Sequence, residues 1–231
     1  MKQRTNARET LKQWGLRLWN RIRTADAPKP RLKDLWLVAV WLGGQSVAYL
    51  ATRLVNTGLR HYQLETAWDR AIPLVPAFVL VYVGSYVFWG VSFALFSWDG
   101  RENRRRMAVS DLILNAICLV VFLAMPSTMT RPEVTGTGFC PWLLRLIYMV
   151  DPPDNLMPSL HCALSWLCWR GLRGSQNLHP WCGWVGLVCT LLVCAAVVLV
   201  KQHCLIDIPT GLLAAELSWQ IGSRLTRNRE E

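Results

Sequence analysis

None of the eight cysteines in this 231-residue sequence forms a CxxC pair, which argues against a structural zinc site. No internal repeat, low-complexity tract or second soluble domain is present, so neither a repeat array nor a disordered chain is in view. Charge is sparse: Asp, Glu, Lys and Arg make up 17% of the residues, with 15 acidic against 25 basic side chains. The resulting +10 comes without a basic nucleic-acid motif, so no nucleic-acid partner is expected.

What the chain has in quantity is apolar surface. Hydrophobic residues reach 52%, with 13 Trp and a mean hydropathy of +0.23, a composition better matched to a bilayer than to water. Crossing a hydrocarbon core of roughly 30 Å takes about 20 helical residues. Six stretches approach that length: 34–55, 72–97, 107–126, 158–173, 180–201 and 204–222. The fourth is short and carries His161; the sixth carries Asp207, Pro209 and Glu216.

The basic residues give an independent test, because Lys and Arg gather in short cytoplasmic loops. With six crossings, 19 of the 25 fall on one side: ten from Lys2 to Lys33, then Arg101, Arg104, Arg105 and Arg106, then Arg170 and Arg173, and finally Arg224, Arg227 and Arg229. Both termini are therefore expected in the cytoplasm, where the basic surplus also meets anionic headgroups. The expected fold is an all-α integral membrane bundle of six transmembrane helices over 34–223, between a basic segment 1–33 and a basic tail 224–231. No small-residue cleavage site follows the first apolar run, which reads as an uncleaved span. Within the first segment, Leu11, Trp14, Leu18 and Ile22 make one apolar stripe of an interfacial amphipathic helix; a basic tail without fixed structure is the other reading.

Cys118, Cys168, Cys189 and Cys194 lie inside expected spans as packing residues, while Cys140, Cys162 and Cys204 fall near the outer face. The one sizeable later connection runs from 127 to 157; loops of that length are often functional. Asp151 and Asp154 in its DPPDN stretch read as turn residues, with headgroup binding as the alternative, and Glu216 as a structural hydrogen-bonding residue, with a relay role as the alternative.

Polar residues converge at the outer face. In MPSLHCALSW (157–166) the fourth span begins there, so Pro158, Ser159 and His161 occupy its first turn, where unpaired N–H groups and the helix dipole suit an anion. His203 lies 42 positions beyond His161, the distance for one crossing inward and one back. If His203 opens the sixth helix, Asp207 is its i+4 neighbour and can hold one ring nitrogen while the other attacks. Arg131 in PSTMTRPEV and Lys201 in KQHCLID bring two cations. Arg131, Ser159 and Lys201 thus suit a phosphate, and His161, His203 and Asp207 suit nucleophilic and acid–base chemistry on it, with no metal or other cofactor required.

The RP pair at 131–132, PSLH at 158–161 and HCLID at 203–207 resemble the motifs of the type-2 phosphatidic acid phosphatase and haloperoxidase superfamily. The motif region runs from about 126 to 215, and the six-span pattern extends the likeness to most of the chain. The resemblance implies a phosphohistidine on His203, orientation of that ring by Asp207, protonation of the leaving alkoxide by His161 and phosphate binding by Arg131. The chain departs from the phosphatase branch in having Ala124 where a lysine usually precedes the RP arginine, and Ala196 and Val197 where a Ser-Arg pair usually precedes the last histidine. Lys201 is the expected replacement cation. PSLH, with KQH before the aspartate, looks more like the branch of sphingomyelin and inositol phosphorylceramide synthases. Two enzyme readings follow, a lipid phosphatase or phosphotransferase and a headgroup transferase with a second lipid as acceptor. A membrane protein that binds lipid phosphate without turning it over is the reading of another class.

Overall fold

The computed structural model describes residues 19–25, 27, 31–56 and 58–227, and residues 13, 15 and 17 near the amino terminus. The six apolar stretches fold as helices α1 (Trp36–Asn56), α3 (Val79–Ser97), α4 (Arg101–Ala124), α6 (Leu160–Gly174), α7 (Pro180–Leu199) and α8 (Asp207–Arg227). Two shorter helices, α2 (Ala67–Ala71) and α5 (Phe139–Val150), lie in connections. The two-residue strands β1 (Tyr62–Gln63) and β2 (Ser127–Thr128) pair in parallel, Tyr62 opposite Ser127.

Local chemistry sets several boundaries. Thr66 and Asp69 form a reciprocal capping box at the start of α2. Pro180 opens α7, where its missing N–H costs nothing. Ser159 caps α6 by accepting the Cys162 N–H.

Two ends of the bundle are distinguished by what meets there. At one, Arg23 donates to the Trp98 carbonyl at 2.9 Å, the Thr24 N–H to Asn177 at 3.0 Å and the His179 N–H to Ile22 at 2.9 Å. At the other, the Tyr62 N–H donates to Pro126, the Val75 N–H to Leu199, and Asn56 to Asn155. The six long helices run alternately between these ends.

Four of them, with the short turns leading into two, are long and apolar enough to cross a membrane: Leu32–Asn56, Pro76–Ser97, Arg101–Ala124 and Pro180–Leu199. Their outward side chains are apolar, with Val87 67%, Leu112 70% and Trp184 72% exposed, the reverse of a water-soluble surface. Helices α6 and α8 fall short of the same measure. Helix α6 has only fifteen residues and buries ten of them against α3, α4, α7 and α8, whereas α8 is long enough but carries Asp207, Glu216, Arg224 and Arg227.

Close approach of α8 to its neighbours depends on two glycines. A Cβ at Gly211 would stand 2.6 Å from the Ser159 carbonyl oxygen, and one at Gly222 would stand 2.2 Å from Ser110 Oγ. Both contacts draw α8 against α6 and α4, fixing the start of α8 beside the start of α6.

The structure departs from the sequence expectations at three places. The 127–157 connection contains the twelve-residue helix α5, with Phe139, Trp142, Leu146, Met149 and Val150 on one exposed apolar stripe. The last helix begins at Asp207, so His203 lies in the preceding turn, and it continues past 223 to Arg227. Pro158 sits just ahead of the cap Ser159, after a cis peptide bond, and not inside the first turn of α6. Of the expected N-terminal stripe, Leu11, Trp14 and Leu18 lie outside the described residues, as does Arg229; Ile22 packs against the main apolar core.

Candidate active site

The turn between α7 and α8 builds one half of the site. Lys201 adopts φ +53°, and the N–H groups of Gln202 and His203 both reach back to the Val197 carbonyl, closing α7 tightly. Asp207, fully buried, then accepts the Cys204 N–H at 2.7 Å through Oδ2. The same oxygen lies 3.3 Å from His203 Nδ1. The carboxylate therefore holds both the turn and the ring, and a proton on Nδ1 leaves Nε2 as the ring's lone-pair nitrogen.

The first turn of α6 builds the other half. The Ser159 N–H donates to the Asp207 carbonyl at 3.1 Å, tying the two helix starts together. His161, two residues on, stacks against Tyr82 with ring centroids 4.3 Å apart and planes at 23°, flanked by Trp89 at 5.1 Å. Its ring centre is 5.9 Å from that of His203. His161 Nε2 is buried with no hydrogen-bond partner among the described residues, a costly state for a polar atom unless something binds there.

Arg131 reaches the same place from the connection after α4. Its guanidinium donates to the Asp151 carbonyl at 2.6 Å, the Lys201 carbonyl at 3.2 Å and the Gln202 side chain, and lies 4.6 Å over the Tyr148 ring. Burial pulls its pKa below the ordinary arginine value, opposed by the nearby Asp151 carboxylate. Arg131, His161, His203 and Gln202 line one cavity of about 350 Å³ together with Tyr49, Arg53, Tyr86, Trp89, Asp151 and Asp154.

Ser159 and Lys201 are placed elsewhere. The Ser159 hydroxyl accepts the Cys162 N–H at 3.3 Å and is fully buried outside the cavity lining. The Lys201 ammonium turns away to the Asp69 carbonyl at 2.5 Å. Asp69 in turn accepts the Leu205 N–H at 2.6 Å, so the pair pins the turn between α7 and α8 to α2. Burial works to raise the Asp69 carboxyl, but hydrogen bonds from Thr66 and Leu205 hold it below the ordinary value. Glu216 accepts the Trp166 indole N–H at 2.9 Å and pairs with Arg170 at 3.3 Å, both side chains half-buried and away from the cavity.

Asp151 and Asp154, read from the sequence as turn residues, line the cavity, as do Tyr49, Tyr86 and Trp89, to which no sequence signal pointed. Asp151 accepts the phenols of Tyr49 at 2.8 Å and Tyr82 at 3.1 Å on its two oxygens. Asp154 pairs with Arg53 at 3.2 Å, and burial pushes its carboxyl above the ordinary value against that pull. Tyr82, Tyr86 and Trp89 recur at i, i+4 and i+7, a helical stripe that marks one face of α3 but not what the face meets. Among the described residues no cluster of three His, Cys, Asp or Glu is placed to hold a metal ion.

Comparison with models of known protein families, with curated proteins and with solved structures finds no match for this chain.

Proposed function

We propose that this chain is a six-span membrane enzyme of the type-2 phosphatidic acid phosphatase kind that cleaves a lipid phosphoester through a phosphohistidine on His203. The observation that carries this reading is the pairing of His203 with Asp207, at 3.3 Å, across one cavity from His161 and Arg131. Arg131 binds phosphate oxygens while His203 Nε2 attacks phosphorus. The P–O bond to the lipid alkoxide breaks as His161, entering protonated, gives its proton to that oxygen. Water or a lipid hydroxyl then attacks the phosphohistidine and returns a proton to His161 as the P–N bond breaks. The basic bias of the loops puts both termini in the cytoplasm and the cavity at the extracytoplasmic face.

Headgroup transfer is favoured by one further observation. The charged lining residues are Arg53, Arg131, Asp151 and Asp154, two of each sign. A monoester dianion gains little from such a wall, whereas a phosphodiester bearing a polar headgroup carries less charge and offers more hydrogen-bonding groups.

The test is purified protein in phosphatidylcholine vesicles supplied with phosphatidic acid, or with a headgroup lipid and a lipid alcohol. Free phosphate and transferred headgroup are followed, and protein is quenched in base to trap acid-labile phosphate. Turnover with label on His203 is expected, and His203→Ala abolishes both. Binding of lipid phosphate without either product points to the non-catalytic reading, and activity surviving His203→Ala refutes the mechanism.

A further inference from the structure

Gln202 sits between Lys201 and His203 in the turn that closes α7, and it is held at both ends. Its backbone N–H donates to the Val197 carbonyl at 2.9 Å, and its side-chain oxygen accepts from the Arg131 guanidinium. An arginine has donors and no acceptor, so the amide oxygen of Gln202 must be the atom that faces Arg131 and the amide nitrogen the atom that faces away. That nitrogen belongs to a residue only 3% exposed and has no hydrogen-bond partner among the described residues. Gln202 lines the cavity of Arg131, His161 and His203, where His161 Nε2 is a second buried nitrogen in the same condition. A buried donor without an acceptor is destabilising, and a ligand that brings an oxygen to it removes the penalty.

We propose that Gln202 is a phosphate-binding residue: its side-chain N–H donates to a non-bridging oxygen of the phosphoester while its amide oxygen holds Arg131. This rests on the reading of His203 as acting on a phosphoester, and it supplies that reading with a second donor. Lys201, the expected second cation, is turned to the Asp69 carbonyl, and Arg53 is paired with Asp154. Arg131 gives one donor each to the Asp151 and Lys201 carbonyls and to the Gln202 side chain, which leaves further N–H groups of the guanidinium for a ligand. Arg131 and Gln202 are thus locked to each other and can take two oxygens of one phosphoryl group. A side chain fixed in advance loses little freedom when the anion binds, which is the condition for a donor that acts on charge as it develops.

Two substitutions separate donation to phosphate from support of Arg131. Gln202→Glu is isosteric and keeps an acceptor for Arg131 but removes both amide N–H donors, whereas Gln202→Met removes acceptor and donors alike. If Gln202 only supports Arg131, Gln202→Glu keeps its turnover and Gln202→Met loses it. The expected result is that both variants lose kcat/KM on the order of 10- to 100-fold for the lipid turned over in the vesicle assay, Gln202→Glu at least as much as Gln202→Met. A readout free of turnover is the side-chain NH2 signal of Gln202 in the NMR spectrum of protein carrying isotope-labelled glutamine in detergent, identified by its disappearance from either variant. Inorganic phosphate and dihexanoyl phosphatidic acid are each expected to move that proton signal downfield, as a new hydrogen bond to an anion does. Movement without product release supports the assignment, and then only the catalytic reading fails. Turnover by Gln202→Glu at the wild-type level, or a signal that neither ligand moves, overturns the assignment and leaves the role of His203 standing.

Discussion

Asp207 serves two structural demands with one oxygen, and this makes its charge separable from its shape. Asp207→Asn keeps an acceptor for the Cys204 N–H but no longer favours the Nδ1–H tautomer of His203. The expected result is a kcat lower by about 10³- to 10⁴-fold with KM little changed, measured as phosphate release from vesicles. Asp69 shows the opposite division, since its charge holds the turn and touches no reacting atom. Its folded pKa lies below the ordinary 3.8, so its contribution is complete above that value and is lost as pH falls through the lower folded value. Thermal unfolding in detergent between pH 6 and pH 3 should therefore show a loss of stability at the acid end that Asp69→Asn removes.

At the scale of elements, the site is a meeting of two helix starts. The α6 cap at Ser159 and the first residue of α8, Asp207, are joined by a backbone hydrogen bond, and Gly211 allows the approach. Gly211→Val would force the helices apart against a backbone oxygen that has nowhere to move. A destabilisation of about 1–3 kcal/mol is expected, together with loss of activity at temperatures where the protein is still folded. Unfolding curves and turnover of the same sample separate the two effects. Gly84, which faces open space inside helix α3, is the control, since Gly84→Ala should leave turnover unchanged and raise stability by about 0.5–1 kcal/mol. Helix α5 lies over the same end with its apolar stripe outward, a geometry suited to the membrane interface beside the cavity.

For the whole molecule the governing feature is an exterior as apolar as the core, with polar groups enclosed inside. Apolar side chains cover the outside of α1, α3, α4 and α7, while Asp207, Lys201, Asn155 and Ser165 are inside. On the proposed topology, the amino-terminal segment, the 98–100 and 175–179 connections and the end of α8 share the cytoplasmic face. Protease sites inserted ahead of residue 31 and after 227 should be cut only from the cytoplasmic side of oriented vesicles, and one inserted at Gly136 only from the other. Cleavage at all three from one side would overturn the six-span arrangement.

The apolar runs were legible along the chain because a membrane-facing helix advertises itself over 20 consecutive residues. The 42-residue interval to His161 was legible because it follows from helix rise and a return crossing; the HxxxD pairing was legible too, although it is made through the turn before α8 and not along a helix face. Helices α6 and α8 gave a weaker signal because α6 is short and mostly buried against its neighbours and α8 carries charged residues along its length. The sequence alone determined the helical character, the charge asymmetry and the pairing of His203 with Asp207, all of which depend on neighbours in the chain. Only the tertiary structure decided that Lys201 faces Asp69, that Asp151 joins Tyr49 to Tyr82 and that Arg131 lines one cavity with His161 and His203. Those contacts join residues tens of positions apart, and where their side chains point depends on how the helices pack.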